Sequence, residues 1–219
     1  MTKRMKALHL YILGLFALLF ASCDEHRDFP DISTKPGHIL LTTGKVVSAE
    51  EYQQNGGTPI AVVYYIRQTS EDEGTGYAVY LHDIEAKAFS DSIGTKMSTS
   101  ADLSAYDGNS NTYAMFATGV SPAANAVFDM WQYGQSAYIP SVAQLRLLYA
   151  AKETVNPYIK LCGGEPLPDA ADECWYWSST EVEGQDMYKA WLYSISSGAI
   201  QETPKEQAHK IRPVITINE

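Results

Sequence analysis

The sequence contains no Gly-rich phosphate loop and no Gly-x-Ser-x-Gly elbow. Phosphate cradling and the hydrolase elbow therefore lack the backbone they need. Five histidines, His9, His26, His38, His82 and His209, show no metal-ligand spacing. His9 falls in the N-terminal leader, and the other four are expected at surface or structural positions. No long repeat or low-complexity tract is present. Positive charge is scarce: 16 Lys and Arg stand against 26 Asp and Glu, for a net charge of −10. That balance argues against nucleic acid and against an anionic membrane surface as partners. It also serves solubility. Cysteine occurs only three times, at Cys23, Cys162 and Cys174.

What is present begins with a leader. Lys3, Arg4 and Lys6 precede an almost wholly apolar run, Leu8 to Phe20, closed by Ala21-Ser22-Cys23. Charge, a short apolar run and small residues in that order predict a secretory signal. The run is too short to span a bilayer comfortably, which takes about 20 residues. The alternative is an uncleaved N-terminal anchor. Small residues directly before Cys23 resemble the bacterial lipobox, with Phe20 where Leu is usual. The resemblance implies cleavage before Cys23 and lipidation of its thiol. Each buried methylene contributes about 0.8 kcal/mol, so several acyl chains hold firmly. Asp24, Glu25 and Asp28 resemble the export tag of Bacteroidetes surface lipoproteins, or they form a solvated acidic linker. Pro30, Ser33, Thr34 and Pro36 read as a tether. The expected organisation is a signal at 1–22, a tether at 23–37 and one globular domain at 38–219.

With Cys23 lipidated, Cys162 and Cys174 remain. An even pair in an exported protein is a disulfide candidate, worth roughly 3 kcal/mol for so short a loop. Two free thiols are the alternative.

Along the domain, 38–47 reads as a strand with a turn at Thr43-Gly44, and Glu50–Gln54 as a helical turn ended by Asn55-Gly56-Gly57. Pro59–Ile66 and Tyr77–His82 read as strands of a hairpin. Residues 86–104 carry no clear pattern and are read as loop with short pieces. Asp107-Gly108-Asn109 is a turn, followed by a short helix through Thr118. Ser121-Pro122 starts a second helix, predicted to end at Gly134. Ser141-x-x-Gln144 is a capping box, and Val142, Leu145, Leu148 and Tyr149 form one apolar stripe. Asn156-Pro157 is expected to stop that helix.

The densest aromatic stretch follows, Cys174-Trp175-Tyr176-Trp177-Ser178-Ser179-Thr180. A strand period of two puts Trp175 and Trp177 on one face and Tyr176 on the other, as befits a central strand. Glu181-Val182-Glu183-Gly184 reads as an acidic turn. Strands are expected over 189–196 and 210–217, with Pro213 at an edge or bulge. Strands, then helices, then strands argue an α+β fold with antiparallel sheets.

Tyr138-Ile139-Pro140-Ser141 with Gln144-Leu145, then Trp175 to Glu181, Ala190-Trp191 and Arg212-Pro213-Val214, together resemble the DUF1566 or Lcl C-terminal-like family, across residues 108–217. Residues 38–107 form a strand-rich companion part. The resemblance implies a C-type lectin-like fold, with two helices packed on small twisted antiparallel sheets. It is related to the formylglycine-generating-enzyme fold.

That enzyme chemistry would need a reactive cysteine pair in a cleft, and Cys162 and Cys174 suit a staple better. A calcium lectin needs clustered carboxylates and amide oxygens. Glu181, Glu183 and Asp186 form a candidate binding loop, with solvated loop charges as the alternative. Glu165-Pro166-Leu167 carries Leu where a sugar-ligating motif has Asn. No metal or cofactor is expected, calcium at this loop apart. Fifteen tyrosines serve either core packing or a binding platform. The function expected from these features is an outer-membrane lipoprotein, anchored by its lipid and possessing a non-catalytic binding or adhesion module for a glycan or an envelope or host protein. The alternatives are an accessory or tip subunit of a fimbria-like assembly, and an enzyme on the related fold.

Overall fold

The computed structural model describes residues 33–67, 75–132, 135–172 and 174–218. The leader, Cys23 and most of the tether lie outside them. From Thr34 onward the chain forms one compact unit.

The first sheet is antiparallel throughout. It is built from β1 (Ile39–Leu41), β2 (Val46–Val47), β3 (Pro59–Arg67), β4 (Thr75–Tyr80) and β12 (Val214–Asn218), in the order β12-β4-β3-β1-β2. The helical turn after β2 is α1 (Ala49–Asn55), capped by the Ser48 side chain. The second sheet collects β5 (Ile84–Ala88), β8 (Trp175–Glu181), β9 (Lys189–Ser194), β10 (Ile200–Pro204) and β11 (Ala208–Ile211), in the order β10-β9-β8-β11-β5. Between them in sequence lie α2 (Gly108–Ala117), α3 (Pro122–Phe128), a small hairpin of β6 (Trp131–Gln132) and β7 (Gln135–Ser136), and α4 (Val142–Leu161). The fold is α+β.

Helix α4 starts as its sequence dictates. The Ser141 hydroxyl accepts from the Gln144 N–H at 3.3 Å, and Gln144 Oε1 accepts from the Ser141 N–H at 3.0 Å. The same Oε1 accepts from the Gly108 N–H at 3.2 Å. A Cβ at position 108 would lie 2.3 Å from that oxygen, so only glycine lets α2 begin there. The apolar stripe of α4 buries Val142, Leu145, Leu148, Val155 and Ile159 against Val62, Tyr64 and Val79 of the first sheet and Tyr176 and Tyr193 of the second. A second core lies on the other side of β8, where Trp177, Leu192 and Ile211 meet Met115 of α2, Ala124 and Val127 of α3, and Phe89. Strand alternation thus sends Tyr176 and Trp177 into different cores. The Trp177 indole N–H donates to the Lys87 carbonyl at 2.9 Å, and Phe89 meets its ring edge-on at 5.4 Å.

Four expectations are corrected. Helix α4 does not stop at Asn156 but runs through Pro157 to Leu161. Its end is held by long-range contacts: Asn156 Nδ2 donates to the Leu167 carbonyl at 3.0 Å, the Leu167 N–H donates to Asn156 Oδ1 at 2.8 Å, and Ile159 is fully buried. Those contacts outweigh the lost backbone donor of proline. Helix α3 ends at Phe128 rather than Gly134, because the Ala137 N–H returns to the Met130 carbonyl and Met130 packs on the first sheet's outer cluster. The described residues hold four helices, at the helical segments read along the sequence, where the resemblance implies two. The second sheet is not purely antiparallel: β8 meets β11 in parallel at Tyr176 and Lys210. Lys205 packs on the β8–β9 loop, its N–H on the Tyr188 carbonyl at 3.0 Å, and this carries the chain from beside β9 to beside β8.

Candidate functional site

The three carboxylates expected on one binding loop have three different fates. Glu181 ends β8, where the β8–β9 register shifts between Trp177 and Glu181. The shift turns its side chain inward, and Glu181 is fully buried. Its Oε1 accepts from the Met97 N–H at 2.9 Å and from Lys205 Nζ; its Oε2 accepts from the Thr99 N–H and hydroxyl at 3.0 Å each. Lys205 is equally buried and also donates to the Thr95 carbonyl at 3.0 Å and to the Asp186 carbonyl. Both ions have all their hydrogen-bonding capacity filled, the condition a buried ion pair requires. The Asp186 carboxylate instead pairs with Lys96 at the surface. That hydrogen bond holds its carboxyl below the usual range. Glu183 alone faces a groove.

The groove encloses about 550 Å³ and is lined by Ala101, Asp102, Leu103, Val182, Glu183, Trp191 and Glu202. Its wall at 99–105 comes from the stretch without sequence pattern, ordered by distant partners. Thr99 is held by Glu181, the Ser100 N–H donates to Asn111 Oδ1 at 3.0 Å, and the Ser141 hydroxyl donates to the Ala105 carbonyl at 2.7 Å. Asp102 Oδ1 accepts from the Ser104 N–H at 2.8 Å and hydroxyl at 2.6 Å, which lowers its pKa. Glu202 pairs with Lys189 at 3.0 Å. Trp191, part-buried on β9, supplies the aromatic face. An indole rimmed by carboxylates can stack on a ring and accept hydrogen bonds from its hydroxyls. Among the described residues no group of three or more His, Cys, Asp or Glu can hold a metal ion.

Sequence reasoning missed a second buried polar centre. Arg212, fully buried, donates from Nε to Asp83 Oδ1 at 2.5 Å. Its Nη1 donates to the carbonyls of Tyr80, Leu81 and Glu165 at 3.0–3.2 Å, and its Nη2 to that of Glu165 at 3.0 Å. The Tyr176 hydroxyl donates to Asp83 Oδ2 at 3.0 Å. Burial, then the Asp83 charge, pushes the Tyr176 phenol well above its usual range. Glu165-Pro166-Leu167 is therefore a structural tie: Arg212 takes the Glu165 carbonyl and Asn156 both polar atoms of Leu167. The Arg212-Pro213-Val214 run was the available signal.

Cys162 and Cys174 are both free thiols, so the disulfide considered above is not formed. Cys174 Sγ lies 3.1 Å from Ser194 Oγ and 3.2 Å from the Ala171 carbonyl. Cys162 caps α4 and packs on the core, and burial pushes its thiol up to about 11. The reactive species is the thiolate, so native labelling at pH 8 should be slow and accelerate as pH approaches 11. After denaturation without reductant, both thiols should alkylate. A mass lacking both adducts would restore the disulfide.

No family model matches the chain, and no curated protein matches it. The fold is similar to the crystal structure of a fimbrial protein from Bacteroides ovatus ATCC 8483, with a TM-score of 0.63 and 14% sequence identity. The match covers 83% of this chain and 48% of that one, so the chain spans about half the length of the structure it matches. At that identity the two share a fold, and function has to be argued from sites. No helix among the described residues is long and apolar enough to cross a membrane.

Proposed function

We propose that this protein is a lipid-anchored, surface-exposed subunit of a fimbria-like assembly, acting by binding rather than catalysis. The observation that carries the reading is the shared fold with a fimbrial protein. The signal and Cys23 supply the anchor, in the outer membrane, with residues 23–37 as tether to one domain at 38–219. Within that domain, 108–217 is read as the DUF1566-like, C-type lectin-like part. Its support is the capping box of α4, the Trp strand β8 and the Arg212-Pro213-Val214 run. The Trp191 groove favours a second reading, an adhesion module for a glycan or a protein.

Immunogold labelling of producing cells with antibody to the folded domain should decorate surface filaments. Cys23→Ala should release the protein from the membrane fraction. Label confined to the cell body would remove the assembly reading, and an unprocessed variant still in membranes would remove the lipid anchor.

A further inference from the structure

Among the described residues, Lys45, Lys96, Lys152, Lys189, Lys205, Lys210 and Arg212 reach carboxylates. Arg67 reaches none among the described residues. It stands at the end of β3 in a pocket of about 330 Å³, with Tyr65, Tyr77 and Tyr106 as the other lining residues. The volume lies at the lower end of the range for small-ligand sites.

The pocket is built by a backbone irregularity. The β3–β4 register shifts between Val63 and Tyr65. Two successive tyrosines of β3 therefore both face Tyr77 of β4, Tyr64 at 6.0 Å and Tyr65 at 5.8 Å, each stacked. Tyr64 is buried behind them, and its hydroxyl has no hydrogen-bond partner among the described residues. Tyr106 closes the pocket from the loop before α2 and is 54% exposed. Its neighbours are fixed: Ser141 holds the Ala105 carbonyl, and Asn111 Nδ2 donates to Asp107 Oδ1 at 2.8 Å. Burial raises the Tyr77 phenol above its usual range, so it stays neutral at physiological pH. Among the described residues no carboxylate lines the pocket.

We propose that this pocket binds a sugar ring bearing a carboxylate, of the uronic acid class, with the ring against the tyrosines and the carboxylate on Arg67. Tyrosine faces are apolar with a polar tip, which suits a pyranose ring. A guanidinium matches the planar carboxylate in a two-pronged hydrogen bond and cannot be deprotonated at working pH. The acidic chain repels anions at long range, and salt screens that repulsion more than a contact pair. Selection therefore rests on the short-range fork. A neutral sugar offers the guanidinium no charge-assisted partner. The inference does not depend on the fimbrial reading, nor on the Trp191 groove.

The test is calorimetric titration of the full chain with a trigalacturonate, against the neutral galactose trisaccharide. The acidic sugar should bind, and the neutral one at least tenfold more weakly. Arg67→Gln should lose about tenfold or more of the acidic-sugar affinity, the scale of a charge-assisted hydrogen bond. Tyr106→Ala should lose several-fold, and Trp191→Ala should change nothing. Both pocket substitutions lie at exposed side chains, and an unchanged melting temperature verifies their fold. Equal binding of the two sugars, unchanged affinity in Arg67→Gln, or no heat with trigalacturonate up to about 10 mM would each overturn the proposal.

Discussion

Lys205→Met is expected to destabilise the protein by about 3 kcal/mol, and Glu181→Leu by about 4–5 kcal/mol, in urea denaturation. Both side chains are fully buried, so neither charge can fall back on water when its partner goes. The asymmetry follows from what each removal leaves behind. Without Lys205, the Glu181 carboxylate keeps the Met97 N–H, the Thr99 N–H and the Thr99 hydroxyl. Without Glu181, the ammonium loses its counter-ion and both N–H groups lose their acceptor. An unsatisfied buried donor costs about 1–3 kcal/mol. The double variant Glu181→Leu/Lys205→Met tests this directly. Apolar replacement of a buried pair is often neutral or stabilising, but here Met97 and Thr99 would still be orphaned. The double variant should therefore remain at least about 2 kcal/mol below the parent. Full recovery would mean that the carboxylate does not organise residues 95–105. Amide exchange at Met97 and Thr99 gives the local readout: protection should fall in Glu181→Leu and persist in Lys205→Met.

Arg212→Ala should cost about 4–5 kcal/mol and Arg212→Lys about 2–3 kcal/mol. One guanidinium gathers the Asp83 carboxylate and three backbone carbonyls, from the end of β4 and its following turn and from the loop after α4. A lysine ammonium is a single point with three protons and cannot span that set. Loss of the fork also leaves Asp83 with Lys210 at 3.6 Å and the Tyr176 hydroxyl as its remaining side-chain partners. Tyr176→Phe is the control: it removes one hydrogen bond and should cost only about 1 kcal/mol. Thermal melts will rank the three variants. An Arg212→Lys melting temperature equal to the parent's would show that charge alone suffices.

Much of the domain's secondary structure was legible. Tyr149, expected on the apolar stripe of α4, is exposed instead, but the capping box and the Val142, Leu145 and Leu148 part of that stripe need only residues within two helical turns and appear as expected. So does the split of Tyr176 and Trp177 between opposite faces of β8, since strand alternation is a local property. Pro157 was misread for a matching reason: the rule applied to it is local, while Asn156 and Ile159 hold the helix end through contacts on other elements. Residues 86–104 had no pattern to read. Their order comes from other parts of the chain: β5 pairs with β11, the Ser90 N–H reaches the Lys205 carbonyl, and Glu181, more than 80 residues away, holds Met97 and Thr99 while Asn111 holds Ser100. Glu181 itself looked like part of an acidic turn because a β-bulge is invisible in composition. The tyrosines divide in the same way: Tyr64 and Tyr80 lie wholly inside, whereas Tyr65, the largely buried Tyr77 and the exposed Tyr106 line a pocket whose walls come from β3, β4 and the loop before α2.

By itself, the sequence determined the α+β class, most strands, the start of α4 and the net acidic character. Each depends on side-chain periodicity, capping chemistry or simple counting over short spans. Only the tertiary structure decided which charges lie inside, which thiols stay free and which aromatics face solvent. A buried ion survives only where its partners fill its hydrogen-bonding capacity. The two ions of each pair sit 24 residues apart for Glu181 with Lys205 and 129 apart for Asp83 with Arg212. No window along the chain contains them, so the packing had to place them.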